Sequence, residues 1–193
     1  MEAFLISTSV VALAEMGDKT QLLALVLAAR FRKPWPIVFG ILVATLVNHA
    51  LAGALGAWVT SHLGESTMRW ILGLSFIAMA GWMLIPDKLD DEEELDKHSR
   101  WGVFGTTLVV FFLAEMGDKT QIVTVMLAAK YSAYLWVVAG TTLGMMLANA
   151  PVVWLGDKLV KRVPIRAVHV ISALIFLVLG LLALFLPGTG VLA

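Results

Sequence analysis

The chain has no cysteine. That excludes disulfides, thiolate metal sites and cysteine nucleophiles, so any metal chemistry has to use oxygen or imidazole ligands. Charge is scarce as well. Only 15% of the 193 residues are charged, and lysine plus arginine balance aspartate plus glutamate at a formal net charge of zero. Without a basic excess there is no electrostatic case for a nucleic-acid partner. Neither a His-Glu-x-x-His sequence nor a phosphate-cradling loop is present, which removes two common enzyme signatures. The opening "MEAFLIST" starts acidic, and its apolar run outlasts a signal peptide, so residue 1 is expected to be the mature start.

What is present is apolar: 60% of residues are hydrophobic and the mean hydropathy is +0.88, which marks an integral membrane protein with lipid as its surroundings. A bilayer core takes roughly 20 apolar residues per helix. Polar or proline-bearing gaps divide the chain into six such pieces, near 3–29, 35–60, 69–86, 101–129, 134–156 and 167–187. The expected fold class is an all-α integral membrane protein with six transmembrane helices. Most of the seven tryptophans, among them Trp35, Trp58, Trp70, Trp82 and Trp101, fall near the proposed helix ends, as in an interfacial belt.

Nine residues, Leu-Ala-Glu-Met-Gly-Asp-Lys-Thr-Gln, stand at 13–21 and again at 113–121. The register continues through Ala28-Ala29-Arg30 against Ala128-Ala129-Lys130 and Gly40 against Gly140. The chain therefore reads as a three-helix repeat over 1–86, an acidic cytoplasmic linker over 87–100 and a second three-helix repeat over 101–193. An odd number of spans inverts the second copy, the plan of many secondary transporters. Gaps one, three and five hold ten basic residues (Arg30, Arg32, Lys33, Lys88, Lys97, Arg100, Lys158, Lys161, Arg162 and Arg166), against Arg69 and Lys130 on the other side. This places the first side, with the acidic loop, in the cytoplasm and both termini outside. The loop acids, Asp90 to Glu94 and Asp96, read as a solvated connector or, more sharply, as a gatherer of cations.

Each motif puts three ionisable groups about halfway along a membrane helix. An ionised Asp or Lys at mid-bilayer costs roughly 2.5 to 3.5 kcal/mol, and six facing lipid would cost on the order of 15 kcal/mol, comparable to a protein's whole stability. They are expected to face inward. On a continuous helix Glu15, Asp18 and Lys19 share one face, as do Glu115, Asp118 and Lys119, with Gly17 and Gly117 opposite, where a neighbouring helix could approach. Two readings follow for the charge partners Lys19 and Lys119. Pairing with the glutamate four residues earlier makes a structural staple. That leaves one acid per motif and a cluster charge of minus two, which matches one divalent cation; oxygen donors suit Mg²⁺, Ca²⁺ or Mn²⁺.

Around the motifs, Gly40, Ala44, Asn48, Ala52 and Gly56 form a small-residue stripe, echoed by Gly140, Gly144 and Ala148. Asn48 and Asn149 hold similar mid-helix places, as amide ligands or as interhelical hydrogen-bond partners. Gln21 and Gln121 lie at the edge of the polar face as further candidate ligands, and Thr20 and Thr120 are expected to bond their own helix backbone. His49 and His169 have no counterpart in the other half and read as packing or interface residues.

The twin Glu-x-Gly-Asp-Lys-Thr motifs, on the first and fourth of six helices around an acidic middle loop, resemble a cation/proton exchanger family of the GDT type, which includes Golgi, chloroplast and bacterial manganese or calcium transporters. The resemblance covers essentially the whole chain. It implies exchange of Mn²⁺, or also Ca²⁺, for protons, with Glu15, Asp18, Glu115 and Asp118 as the ion-binding acids, no cofactor, and a place in the plasma (inner) membrane as a manganese exporter. Energetics favour coupling if the direction is outward, since moving a divalent cation against an inside-negative potential costs roughly 4.6 kcal/mol per 100 mV. A channel or uniporter is the main alternative, and an intramembrane enzyme using paired carboxylates a more distant one, because the Gly-x-Gly-Asp of intramembrane aspartyl proteases is absent.

Overall fold

The computed structural model describes residues 1–63, 65–85, 101–155 and 165–185, and these form eight α-helices and no strand. In chain order they are α1 (Glu2–Glu15), α2 (Lys19–Phe31), α3 (Pro34–His62), α4 (Glu65–Trp82), α5 (Gly102–Glu115), α6 (Lys119–Tyr131), α7 (Tyr134–Leu155) and α8 (Ile165–Phe185). The whole of the proposed acidic linker, 87–100, lies outside the described residues.

Among the described residues three helices are long and apolar enough to cross a membrane: α3, α7 and the Arg166–Phe185 stretch of α8. The expected first and fourth helices are each two helices. The 14-residue α1 and α5 and the 13-residue α2 and α6 are about 20 Å long apiece, too short to span the core singly. The expectation of one continuous helix through each motif is thus corrected, and the reason is local. Met16 is extended (φ −65°, ψ 113°), Gly17 has φ +84°, and Asp18 N–H donates to Glu15 O at 3.1 Å. Those are features of a type II turn, whose third position favours glycine. Met116 (φ −65°, ψ 119°), Gly117 (φ +75°) and the Asp118 to Glu115 bond at 3.2 Å repeat it.

The two sequence repeats interleave. α3 packs against α5 and α6, and α7 against α1. The small-residue stripes make this possible. A Cβ on Gly40 would stand 2.8 Å from Thr107 Cβ of α5, one on Gly140 2.6 Å from Phe4 O of α1, and one on Gly144 2.6 Å from Thr8 O. Near its far end α3 brings Gly56 against the Val125 carbonyl of α6, and Thr60 Oγ1 donates to Ala129 O at 3.1 Å. Helices α4 and α8 pair beside this group, with the Phe76 and Phe176 rings tilted by 30° and their centroids 6.1 Å apart. Much of the outer surface is apolar, including exposed Trp35, Trp58, Trp70, Trp101, Trp136 and Trp154, as a lipid-facing surface requires.

Candidate cation site

Both breaks put their acids in the interior. Glu15 is 0% exposed, Glu115 1%, Asp18 2% and Asp118 5%, so each of the four predicted acids is buried. One carboxylate oxygen from each of Glu15, Glu115 and Asp118 lies within 4.8 Å of the others. Calcium-to-oxygen distances run about 2.3–2.6 Å, so oxygens on opposite sides of one such ion stand up to about 5 Å apart. These three therefore fit a single coordination sphere. Asp18 is outside that triplet and lies instead beside Lys119.

The lysines cross between motifs. Lys19 Nζ is 3.3 Å from Asp118 Oδ1, and Lys119 Nζ is 3.6 Å from Asp18 Oδ1. The intrahelical Glu15–Lys19 staple is corrected accordingly: the turn at Gly17 removes the helical i, i+4 geometry. The charge count survives with different owners, since the aspartates take the lysines and the glutamates are left to supply the minus two.

Thr20 and Thr120 also depart from expectation. Thr20 Oγ1 donates to Glu15 Oε2 at 2.7 Å and Thr120 Oγ1 to Glu115 Oε2 at 2.9 Å, because each threonine sits in the first turn after the break, facing the glutamate before it. One oxygen of each glutamate is thereby fixed. The other, Oε1, is buried without a hydrogen-bond partner, as is Asp118 Oδ2. Unpaired buried oxygens are costly. Three of them on three clustered carboxylates make a site that a cation or protons would complete.

Gln21 and Gln121 serve the turns. Gln21 Oε1 accepts from Gly17 N–H at 3.0 Å and Gln121 Oε1 from Gly117 N–H at 2.8 Å, satisfying an amide that the break exposes. Asn48 Nδ2 donates to Phe112 O at 3.1 Å, linking α3 to α5, whereas Asn149 Nδ2 bonds Met145 O at 3.2 Å within α7. Both amide oxygens are buried and unpartnered. His49 is fully buried on α3, and His169 half-buried on α8; neither joins the carboxylate group. What the sequence reading missed was the break itself. Its signal was there: glycine then aspartate is a helix stop followed by a helix start.

The family profile described as "Divalent cation/proton antiporter GDT1" matches residues 3–91 and 103–188. The chain belongs to that family. It is 50% identical to a Vibrio cholerae serotype O1 protein named "Putative manganese exporter", over 96% of this chain and 92% of that one. A "GDT1-like protein" of Synechocystis is 27% identical over 91% and 93% of the two chains. The "Divalent cation/proton antiporter GDT1" of Saccharomyces cerevisiae is 24% identical over 96% and 84%. No solved structure matches the chain significantly. Members of the family are transporters rather than enzymes, and this GDT1-family chain is a multi-pass membrane transporter of divalent cations.

Proposed function

We propose that the protein exports Mn²⁺, with Ca²⁺ as a second substrate, in exchange for protons at one site built from Glu15, Asp18, Glu115 and Asp118. The observation that carries this reading is the convergence of three buried carboxylates from both motifs within one ion's coordination distance. Clustered carboxylates away from bulk water accept protons when a cation leaves, so one site alternates between M²⁺ and about two H⁺. Such an exchange cancels the electrical cost of export. The name of the Vibrio cholerae relative favours manganese, and the oxygen-only donors accommodate either ion.

In this reading α1 with α2, and α5 with α6, each cross the membrane as one broken helix, giving six spans in two inverted repeats. The ion sits at the breaks, where half-helix ends meet, as in other transporters with discontinuous helices. The termini lie outside the plasma membrane and the acidic loop in the cytoplasm.

The test is reconstitution in vesicles with a trapped pH-sensitive dye, adding Mn²⁺, Ca²⁺, Mg²⁺ and Zn²⁺ separately. Proton movement driven by Mn²⁺ and abolished in Glu115→Gln is the expected result. Metal flux with no proton counterflow would make the protein a channel or uniporter, and a response to Ca²⁺ alone would change the substrate. If Asp18→Asn and Asp118→Asn each keep about half the activity, the single-site arrangement is wrong.

A further inference from the structure

Gln21 and Gln121 hold equivalent places in the two motifs but make different bonds. Each oxygen takes the amide of its own turn glycine. The nitrogens diverge: Gln21 Nε2 donates to Ala148 O of α7 at 3.0 Å, whereas no bond from Gln121 Nε2 is made among the described residues. Gln21 is 5% exposed and Gln121 half-buried.

The same inequality runs through both halves. Nine of the thirteen residues of α6 are buried, including Ala128, Ala129 and Lys130, but only five of the thirteen in α2, where Ala29 and Arg30 are exposed. Helix α6 is closed against α3 at Gly56 and Thr60, and Asn48 ties α3 to α5; across the other half Asn149 bonds only its own helix. Helix α6 is shut against α3 and its counterpart α2 is looser against α7, while α7 stays tight on α1 at Gly140 and Gly144. The Gln21 tether belongs to the looser α2. By the offset of 100 that pairs Gly40 with Gly140 and runs through the buried positions of both long helices, the counterpart of Ala148 is Asn48.

We propose that Gln21 and Gln121 are positioning residues that tether the two helix breaks in turn, Gln21 to the Ala148 carbonyl in the arrangement seen here and Gln121 to the Asn48 carbonyl in the opposite one. This rests on the transport reading insofar as it requires two access states. Committing the side-chain oxygen to the turn glycine withdraws Gln21 and Gln121 from the ligand set. It also gives the amide nitrogen a fixed direction, so that breaking one tether and making the other accompanies the exchange of shut and looser states between α6 and α2.

A chain without cysteine permits a direct test. Single probes Ala129→Cys, buried here, and Ala29→Cys, exposed here, are labelled with a maleimide in membranes free of divalent cations, each in the parent, Gln21→Met and Gln121→Met backgrounds. The labelling rate at position 129 reports the fraction of molecules in the opposite arrangement. Gln21→Met is expected to raise it about fivefold, the population ratio carried by one net hydrogen bond, and to slow labelling at position 29. Gln121→Met is expected to lower it by a similar factor. A general loss of packing would speed both backgrounds alike. Shifts of the same sign, or none, would therefore overturn the tether. Should Gln21→Met fail to accumulate, the Gln121→Met arm decides alone: slower labelling supports the tether, and unchanged or faster labelling refutes it. No ion flux is read, so a failed transport assay leaves this result interpretable, and a failed labelling test with intact Mn²⁺-driven proton movement removes only the tether.

Discussion

Lys19 Nζ lies 3.3 Å from Asp118 Oδ1, across the boundary between the two sequence repeats. Its reciprocal, Lys119 with Asp18, is 3.6 Å long. Each motif thus neutralises an acid of the other, and the glutamates that head both motifs are left to face a common interior.

The two pairs differ in their access to water, and their removal should differ in cost. The Lys119 side chain is 3% exposed and that of Lys19 23%. Asp18→Asn removes the carboxylate facing an ammonium in the interior, at about 3 to 5 kcal/mol, while Asp118→Asn does so for one that is partly exposed, at about 1 kcal/mol. Thermal unfolding in detergent, without divalent cations, should place Asp18→Asn clearly below Asp118→Asn. The reverse order would mean that the crossed pairing is misassigned.

Three glycines separate backbone conformation from packing. Gly117→Ala has open space for its methyl group but inherits a φ of +75°, a penalty of about 1 to 2 kcal/mol. Gly56→Ala meets the Val125 carbonyl and pushes α3 off α6. Gly81→Ala meets nothing within 4 Å inside α4 and should be neutral or stabilising by up to about 1 kcal/mol. The expected melting order is Gly81→Ala at or above the parent, with the other two below it. A neutral Gly117→Ala would argue against the turn.

Topology is testable with the same cysteine-free background. The ten basic residues on one side predict a cytoplasmic Asp91, and Asp91→Cys should then resist an impermeant maleimide in intact cells and react after lysis. Labelling from outside would invert the orientation.

The sequence was informative where a cost had to be avoided. Six ionisable groups in apolar surroundings had to turn inward, and Glu15, Asp18, Glu115 and Asp118 are all buried. It was less informative where geometry was assumed. Reading 3–29 as one continuous helix put Gly17 opposite the charged face as a packing residue; its positive φ instead makes it the corner of a turn. That one change released Lys19 from Glu15, swung Thr20 onto the Glu15 carboxylate and engaged Gln21 with the turn amide. The crossed lysine pairs join residues about a hundred positions apart, and periodicity along a single helix holds no information about them.

The contacts of Gly40 with Thr107 and of Gly144 with Thr8 bear on how this chain could change over time. Each long helix is fitted to the broken helix of the opposite half, so neither half owns the complete carboxylate cluster. A gene cut between the halves would encode two fragments, each lacking the surface that shelters its own charges. Drift in one half must be answered in the other, and this constraint gives a physical reason for two nine-residue stretches, a hundred positions apart, to remain identical.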